Sequence, residues 1–310
     1  MVIERITPKN KRAWLALRGQ DITASVVGSL FGEHPYLTEY EVWAAKTGRM
    51  QETTEETDAM RRGRLLEPVA VQILREMHPR WKIEHNAAEN VYYRDPAARL
   101  GGTPDVIVEH PDRGRGVVQI KSVEASTYRR AWLLDGDPDA PLWIAMQASV
   151  EAYLTGSQWA AVAPLVVGYG IEMPLIDVPL VPGVIDAIKD RVADFWTMVA
   201  EGREPEPDYA RDARLIERLY ARGDDYEEID LSNDNRIHAL IFERDAALED
   251  RRDAEDRLAA IEAEVKAKMG TATVAHLGDG RRITWETRHR RGFTVEPTNY
   301  RTLRFPKPLI

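Results

Sequence analysis

The segment from Gly101 to Lys121, GGTPDVIVEHPDRGRGVVQIK, constrains the chain more than any other. VIVE and VVQIK are short, β-branched and alternating, and the stretch between them is rich in Pro, Asp and Gly. Together they predict a β-hairpin. With the turn centred near Arg113, facing residue numbers sum to about 226, which sets Asp105 opposite Lys121 and Ile107 opposite Gln119. Side chains alternate along a strand, so Gln119 and Lys121 share a face while Ile120 turns the other way. The open end of the hairpin then gathers an acid, an amide and an ammonium. Such oxygen donors beside a lysine can hold a hard divalent cation and offset charge on a phosphate. Taken alone, a surface hairpin ending in Asp and Lys is ordinary, so the reading depends on its surroundings.

The 310 residues, 44% of them hydrophobic, suffice for one sizeable domain and an appendage. With no cysteine, a disulfide framework, Cys-ligated zinc and an iron–sulfur cluster are excluded. No apolar run approaches the ~20 residues that cross a bilayer. The opening MVIERITPKNKRAW has no apolar signal-peptide core. The expectation is a soluble cytoplasmic protein, of a bacterial cell or encoded by its phage, with no membrane partner. A net charge of −9 argues against a general nucleic-acid coat, but DNA contact needs only a local basic lining. Residues 281–307 offer one: Arg281, Arg282, Arg288, Arg290, Arg291, Arg301, Arg304 and Lys307 stand against Glu286 and Glu296, a net +6.

Periodicity predicts helices over 12–19, over DITASVVGSLFG with Asp21 or Thr23 as cap, and over LTEYEVWAAKTGR from Thr38 to Gly48. QETTEETDAM reads as loop. The next helix carries a stripe from Leu65 to Met77 and, because of Pro68, is expected to start or bend near Leu66. Strands follow in WKIEHNAAENVYYRD and SQWAAVAPLVVGYGIEMPLIDV, and helices in 124–134, PLWIAMQASVEAYLTG and VIDAIKDRVADFWTMVAEG. This order suits an α/β core with a central mixed sheet. REPEPDYARD reads as a boundary. The expected organisation is a catalytic domain over 1–205, a linker over 206–232, and an appendage over 233–310. The appendage comprises a long helix with a weak heptad seam, a hairpin around GDG and the basic tail.

Four further features bear on chemistry. Glu67, in RRGRLLEPVA, could reach a cation held by Asp105, or merely complement a helix dipole. Gln147 is polar on an otherwise apolar helix and could position a water or phosphate, or be exposed. Arg18 has the fork geometry for a phosphate, and Ser25 could add a hydroxyl and backbone N–H groups at a helix start. They could equally be a solvated arginine and a cap. The basic tail could bind DNA or an acidic face of another subunit.

The string W-x-x-x-R-x-x-x-I-T-A-S from Trp14 to Ser25, then G-R-x-x-E from Gly63 to Glu67, G-G-T-P-D and Q-I-K, resembles the phage-lambda-type exonuclease and YqaJ-like viral recombinase family. That family lies within the PD-(D/E)xK nuclease superfamily. The resemblance spans roughly residues 10–200 and rests on several motifs in the right order. It implies an α/β restriction-endonuclease-like core and a Mg²⁺-dependent exonuclease, with Mn²⁺ as substitute. Such an enzyme digests one strand of duplex DNA from a 5′ end. The 3′ overhang is handed to a single-strand annealing protein in recombination and repair, and the enzyme is a ring-shaped homo-oligomer. Residue by residue, Asp105, Gln119, Glu67 and the backbone carbonyl of Ile120 resemble the metal ligands. Lys121 resembles the motif lysine, and Gln147 a glutamine near the scissile phosphate. Trp14, Arg18 and Ser25 resemble the pocket for the 5′-phosphate. There are two departures: Gln119 replaces the usual Glu, and Glu151 stands where a tyrosine follows the helix glutamine. Two other readings remain at this point, a structure-specific or single-strand nuclease of the same superfamily and a decayed DNA-end-binding scaffold.

Overall fold

The apolar runs VVQI and WAAVAPLVV are buried along most of their length, as strands covered on both faces must be. The computed structural model describes residues 2–50, 56–221 and 228–289, with Leu303 and Phe305. The chain divides into two compact units, Met1–Leu219 and Tyr220–Ile310.

The first unit begins with β1 (Glu4–Ile6), α1 (Lys11–Gln20), β2 (Ile22–Thr23), a 3-10 helix at Ala24–Phe31, α2 (Glu39–Lys46) and α3 (Asp58–Met77). Next come β3 (Lys82–His85), β4 (Tyr92–Asp95), β5 (Leu100–Gly102), β6 (Val106–His110), β7 (Gly114–Glu124) and α4 (Ala125–Ala131). The ribbon β8 (Leu133–Leu134) and β9 (Asp137–Pro138) leads to α5 (Leu142–Thr155) and β10 (Trp159–Val167). The unit closes with β11 (Ile171–Glu172), β12 (Ile176–Val178), α6 (Val184–Ala200) and α7 (Ala213–Leu219).

The main sheet runs β11-β10-β7-β6-β3, with β12 also on β10. β7 and β10 are parallel and the other pairs antiparallel, so the sheet is mixed, as expected. A parallel pair needs a crossover, and α4 and α5 supply it. α3 covers one face, setting Ala70, Val71 and Leu74 against Val106, Val108, Val118 and Ile120. α5 covers the other, setting Ile144, Ala148 and Ala152 against Val117, Ala160 and Val162. This is the α/β class read from the sequence. A second sheet, β1-β4-β5-β2, carries the GG of GGTPD on β5 beside β2.

Several expectations are corrected. The hairpin pairs Val106 with Val118 and His110 with Gly114, so its turn centres on Asp112 rather than Arg113. Ile107 therefore faces Val117, and continuing the ladder sets Asp105 against Gln119, not Lys121. The turn is tight because His110 Nδ1 accepts from the backbone N–H of Asp112 and of Arg113, both at 3.0 Å, and Gly114 takes φ +69°. A shift of two leaves every side chain on its expected face. α3 starts at Asp58 and runs through Pro68, so Glu67 lies in the helix interior. Thr57 caps one half by accepting from Met60 N–H at 3.2 Å, and packing of Ala70, Val71 and Leu74 on the sheet holds the other. Ala24–Phe31 is 3-10 rather than α, with no side-chain cap. Thr38 forms the expected capping box with Glu41. The first unit continues past residue 205 to Leu219, because Asp212 and Leu215 are buried in it and Thr38 Oγ1 donates to Asp212 at 2.6 Å.

The second unit holds α8 (Asn235–Met269), capped by Asp234, and the antiparallel pair β13 (Val274–His276) and β14 (Arg282–Thr284). Among described residues of α8 only Met269 is buried. The Arg244 guanidinium stands 4.0 Å from the Phe305 ring centroid. Arg281, Arg282 and Arg288 are exposed, whereas Arg290, Arg291, Arg301, Arg304 and Lys307 lie outside the described residues. No helix among the described residues is long and apolar enough to cross a membrane.

Asp21 does not cap the start of the 3-10 helix; it closes α1, and its side chain is fully buried. Arg94 Nη2 donates to its Oδ1 at 2.8 Å and Tyr92 Oη to its Oδ2 at 3.1 Å. Desolvation pushes this carboxyl up from its ordinary range, and Arg94 and then Tyr92 pull it back. Arg94→Met is expected to cost about 3–5 kcal/mol in urea unfolding, because it strands a buried charge. A raised folded-state pKa means that the native protein binds the extra proton as pH falls, so the deficit against the parent narrows below neutral pH. Gly101 lies under the same tyrosine: a Cβ there would stand 2.0 Å from Tyr92 Oη. Gly101→Ala is expected to lower stability by about 1–3 kcal/mol, read as a lower thermal midpoint.

Candidate active site

Asp105 sits just ahead of β6, where the ladder with β7 opens. Its Oδ2 accepts from the Ile120 backbone N–H at 2.8 Å and from the Gln119 amide. Gln119 is 3% exposed; its Nε2 also donates to the Ile120 carbonyl at 3.3 Å, and its Oε1 is buried without a hydrogen-bond partner. One pleat along, Lys121 Nζ donates to Gln147 Oε1 at 2.9 Å. Asp105 is thus joined to Gln119, and Lys121 on the same strand face is joined to Gln147. Gln147, which in isolation reads more readily as an exposed residue, is 5% exposed.

One face of α5 supplies this side. Trp143, Gln147 and Glu151 are spaced by four and so stack along it. Lys121 Nζ is 5.7 Å from the Trp143 ring centroid, and Gln147 Nε2 donates to Glu151 Oε1 at 2.9 Å. Glu151, 1% exposed, leaves Oε2 buried without a partner. Sequence reasoning noted this residue only as a missing tyrosine. The available signal was a carboxylate four residues after Gln147 in a helix otherwise apolar at Ala148, Val150, Ala152 and Leu154. Small residues let the helix come close: a Cβ at Gly102 would lie 3.6 Å from Glu151 Cγ, and one at Gly28 would lie 2.8 Å from Trp143 Cβ.

Glu67 approaches from α3 on the opposite face, held at 2.7 Å by His85 Nε2 at the end of β3. Desolvation is the main force raising the Asp105 carboxyl; Lys121 opposes it and Glu67 adds to it. Glu151 is raised too, first by burial and then by the charge on Asp105. Both are therefore carboxyls short of positive charge.

Trp14, Arg18 and Ser25 border β5 on the other side of GGTPD. Trp14 Nε1 donates to Thr103 Oγ1 at 3.1 Å, and the Arg18 guanidinium lies 4.5 Å from the Trp14 ring centroid. Ser25 Oγ is 3.1 Å from Thr23 Oγ1, in the first turn of the 3-10 helix that follows β2. Because Thr23 pairs with Gly101, both arms reach the strand that leads into Asp105.

Among the described residues no three His, Cys, Asp or Glu side chains form a group that could hold a metal ion. The donor set includes an amide, Gln119, and a backbone carbonyl, Ile120, beside the carboxylates. Hard divalent cations accept this mixture of oxygens. The unpartnered oxygens of Gln119 and Glu151 lack a donor, so a cation fits the chemistry here.

Residues 13–158 match the family model of the YqaJ-like viral recombinase domain. No functionally curated protein matches the chain. Among solved structures, the chain is similar to the alkaline exonuclease LHK-Exo from Laribacter hongkongensis, at 20% identity and a TM-score of 0.48, over 67% of this chain and 100% of that one. It is also similar to a phage-related exonuclease from Haemophilus somnus 129PT, at 13% identity and a TM-score of 0.44, over 58% and 94%. A SOX–DNA complex aligns at 12% identity and a TM-score of 0.39, over 64% and 70%. Trp14, Arg18, Ser25, Glu67 and the Asp105–Gln147 constellation all lie within the residues that match the YqaJ-like viral recombinase domain model.

Proposed function

We propose that the chain is a divalent-metal-dependent exodeoxyribonuclease that degrades one strand of linear duplex DNA from a 5′ end, leaving a 3′ overhang. The chain is a nuclease, and the observation that carries the finer reading is the meeting of Asp105, Gln119 and Lys121 beside Gln147. Asp105, Gln119, Glu67 and the Ile120 carbonyl are assigned to hold the ion, Mg²⁺ or in its place Mn²⁺. When bound, such an ion lowers the pKa of its water and polarises a phosphate oxygen. Lys121, oriented by Gln147, hydrogen-bonds the attacking oxygen and offsets charge that builds on the phosphate. Gln147 keeps the ammonium aimed at the mouth rather than at solvent. Arg18, braced on Trp14, and Ser25, with the N–H groups of its turn, take the terminal phosphate. The overhang is the substrate of a single-strand annealing partner, and a ring of subunits around the duplex keeps the enzyme at an end.

The test is Mg²⁺-dependent digestion of end-labelled linear duplex, with 5′-phosphate and 5′-hydroxyl ends and closed circles as control. The reading expects linear duplex to be degraded from 5′ ends and circles to survive. Cutting of circles favours a structure-specific enzyme, and DNA binding without digestion in Mg²⁺ or Mn²⁺ favours a decayed scaffold. Lys121→Ala is expected to slow single-turnover cleavage about 100-fold or more while DNA affinity changes little. Arg18→Ala is expected to erode the preference for phosphorylated 5′ ends, measured as the ratio of rates on the two substrates. An unchanged ratio removes Arg18 from the pocket.

A further inference from the structure

Gln119 brings an amide where a carboxylate would give the strand pair a second negative charge. The amide is turned to donate to Asp105, and its own oxygen is left buried without a donor. Two strands thus present one carboxylate, Asp105, at their mouth.

The missing charge stands on the helix opposite. Glu151 is among the most buried large side chains in the protein, yet no arginine or lysine forms an ion pair with it among the described residues. Lys121, whose charge reaches it, donates its hydrogen bond to Gln147 instead. One Glu151 oxygen accepts from Gln147 Nε2 and the other accepts from nothing. The side chain lies against Gly102, three residues before Asp105, and the charge on Asp105 reaches it. An ionised carboxylate in such a place is costly unless a positive charge compensates it. A core position on an otherwise apolar helix gives no packing reason for glutamate over leucine or methionine. The pair of unpartnered acceptor oxygens, on Gln119 and on Glu151, has the chemistry of a cation's coordination shell rather than of a protein hydrogen-bond network.

We propose that Glu151 is the second carboxylate of the metal site, delivered from α5 in place of the strand carboxylate that Gln119 lacks. The proposal rests on the metal-dependent reading above. It predicts that the negative charge can be moved between strand and helix without loss of the site.

The test is Mn²⁺ binding to the full chain without DNA, read by electron paramagnetic resonance of the free ion and by the Mn²⁺-induced rise in thermal midpoint. Glu151→Gln keeps an acceptor for Gln147 and removes only the charge. It is expected to weaken Mn²⁺ binding about tenfold or more and to abolish most of the midpoint rise. The apo variant is expected to be at least as stable as the parent, which keeps the comparison between folded proteins. The exchange variant Gln119→Glu/Glu151→Gln is expected to recover binding to near the parental level. Parental binding by Glu151→Gln, with binding lost in Asp105→Asn, overturns the role of Glu151 and leaves the nuclease site standing. A loss that the exchange variant does not restore also overturns it, since Glu151 then acts by holding Gln147. Parental binding by Asp105→Asn overturns the metal site itself.

Discussion

The antiparallel pairing of β6 with β7 is the contact on which the rest depends. It alone brings a residue at position 105 against one at 119. A slip of one residue in this ladder would send Gln119 and Lys121 to the α3 face and leave Ile120 at the mouth. The turn resists that slip through His110 Nδ1 and Gly114, and burial of β7 on both faces resists it along the strand. The parallel partner β10 pins the other edge, opposing Val162 to Gln119 and Pro164 to Lys121. Pro164 falls between the segments of β10 that pair with β12 and with β11, so its missing N–H costs no bond on that side.

With the strand pair fixed, α5 decides what the mouth can do. A helix packed on a sheet ordinarily contributes apolar side chains, and α5 does so through Ile144, Ala148 and Ala152. Its other buried stripe is polar and is linked as a chain: Lys121 donates to Gln147, and Gln147 donates to one oxygen of Glu151, leaving the other without a partner. Buried amides are costly unless both ends are used, and Gln147 uses both. The lysine consequently has a fixed direction, which is what a group meant to stabilise developing charge requires. The glycines of GGTPD belong to the same design. Gly101 yields to Tyr92 and Gly102 to the helix stripe, so the strand before Asp105 can run beneath both.

What was legible in the sequence was whatever repeats with a short period or fits a tight turn. The alternation in VIVE and VVQIK, the Thr38 cap and the closing glycines at 48, 156 and 202 translate directly into local geometry. So does the shared face of Gln119 and Lys121, because strand parity survives a register shift of two. The exact partner of Asp105 was not legible, since it depends on how His110 folds the turn. A helix start near Leu66 does not follow from Pro68, because propensity weighs only the lost hydrogen bond, whereas tertiary packing of Ala70, Val71 and Leu74 supports α3 on its far side. REPEPDYARD has boundary composition, yet the compact unit runs on to Leu219, where Asp212 is tied to Thr38 across 174 residues. No local signal carries such a bond.

Glu151 belongs to a different class of difficulty, and it shows how charge rather than position organises the site. Counted along the sequence motif, the strand pair is deficient, with an amide where an acid is expected. Counted in space, two carboxylates from other elements couple electrostatically to Asp105: Glu67 from α3 and Glu151 from α5. A cation responds to the local field and to oxygen geometry, not to which element donates the oxygen. Desolvation raises both Asp105 and Glu151, so each would accept a proton more readily than in water, and a bound cation would compete with that proton for the same lone pairs. The substitution at 119 is therefore coherent with the residue at 151. An additional carboxylate on the strand, beside Asp105 and facing Glu151, would crowd like charges in a poorly hydrated space, whereas an amide lets the strand keep a donor for Asp105.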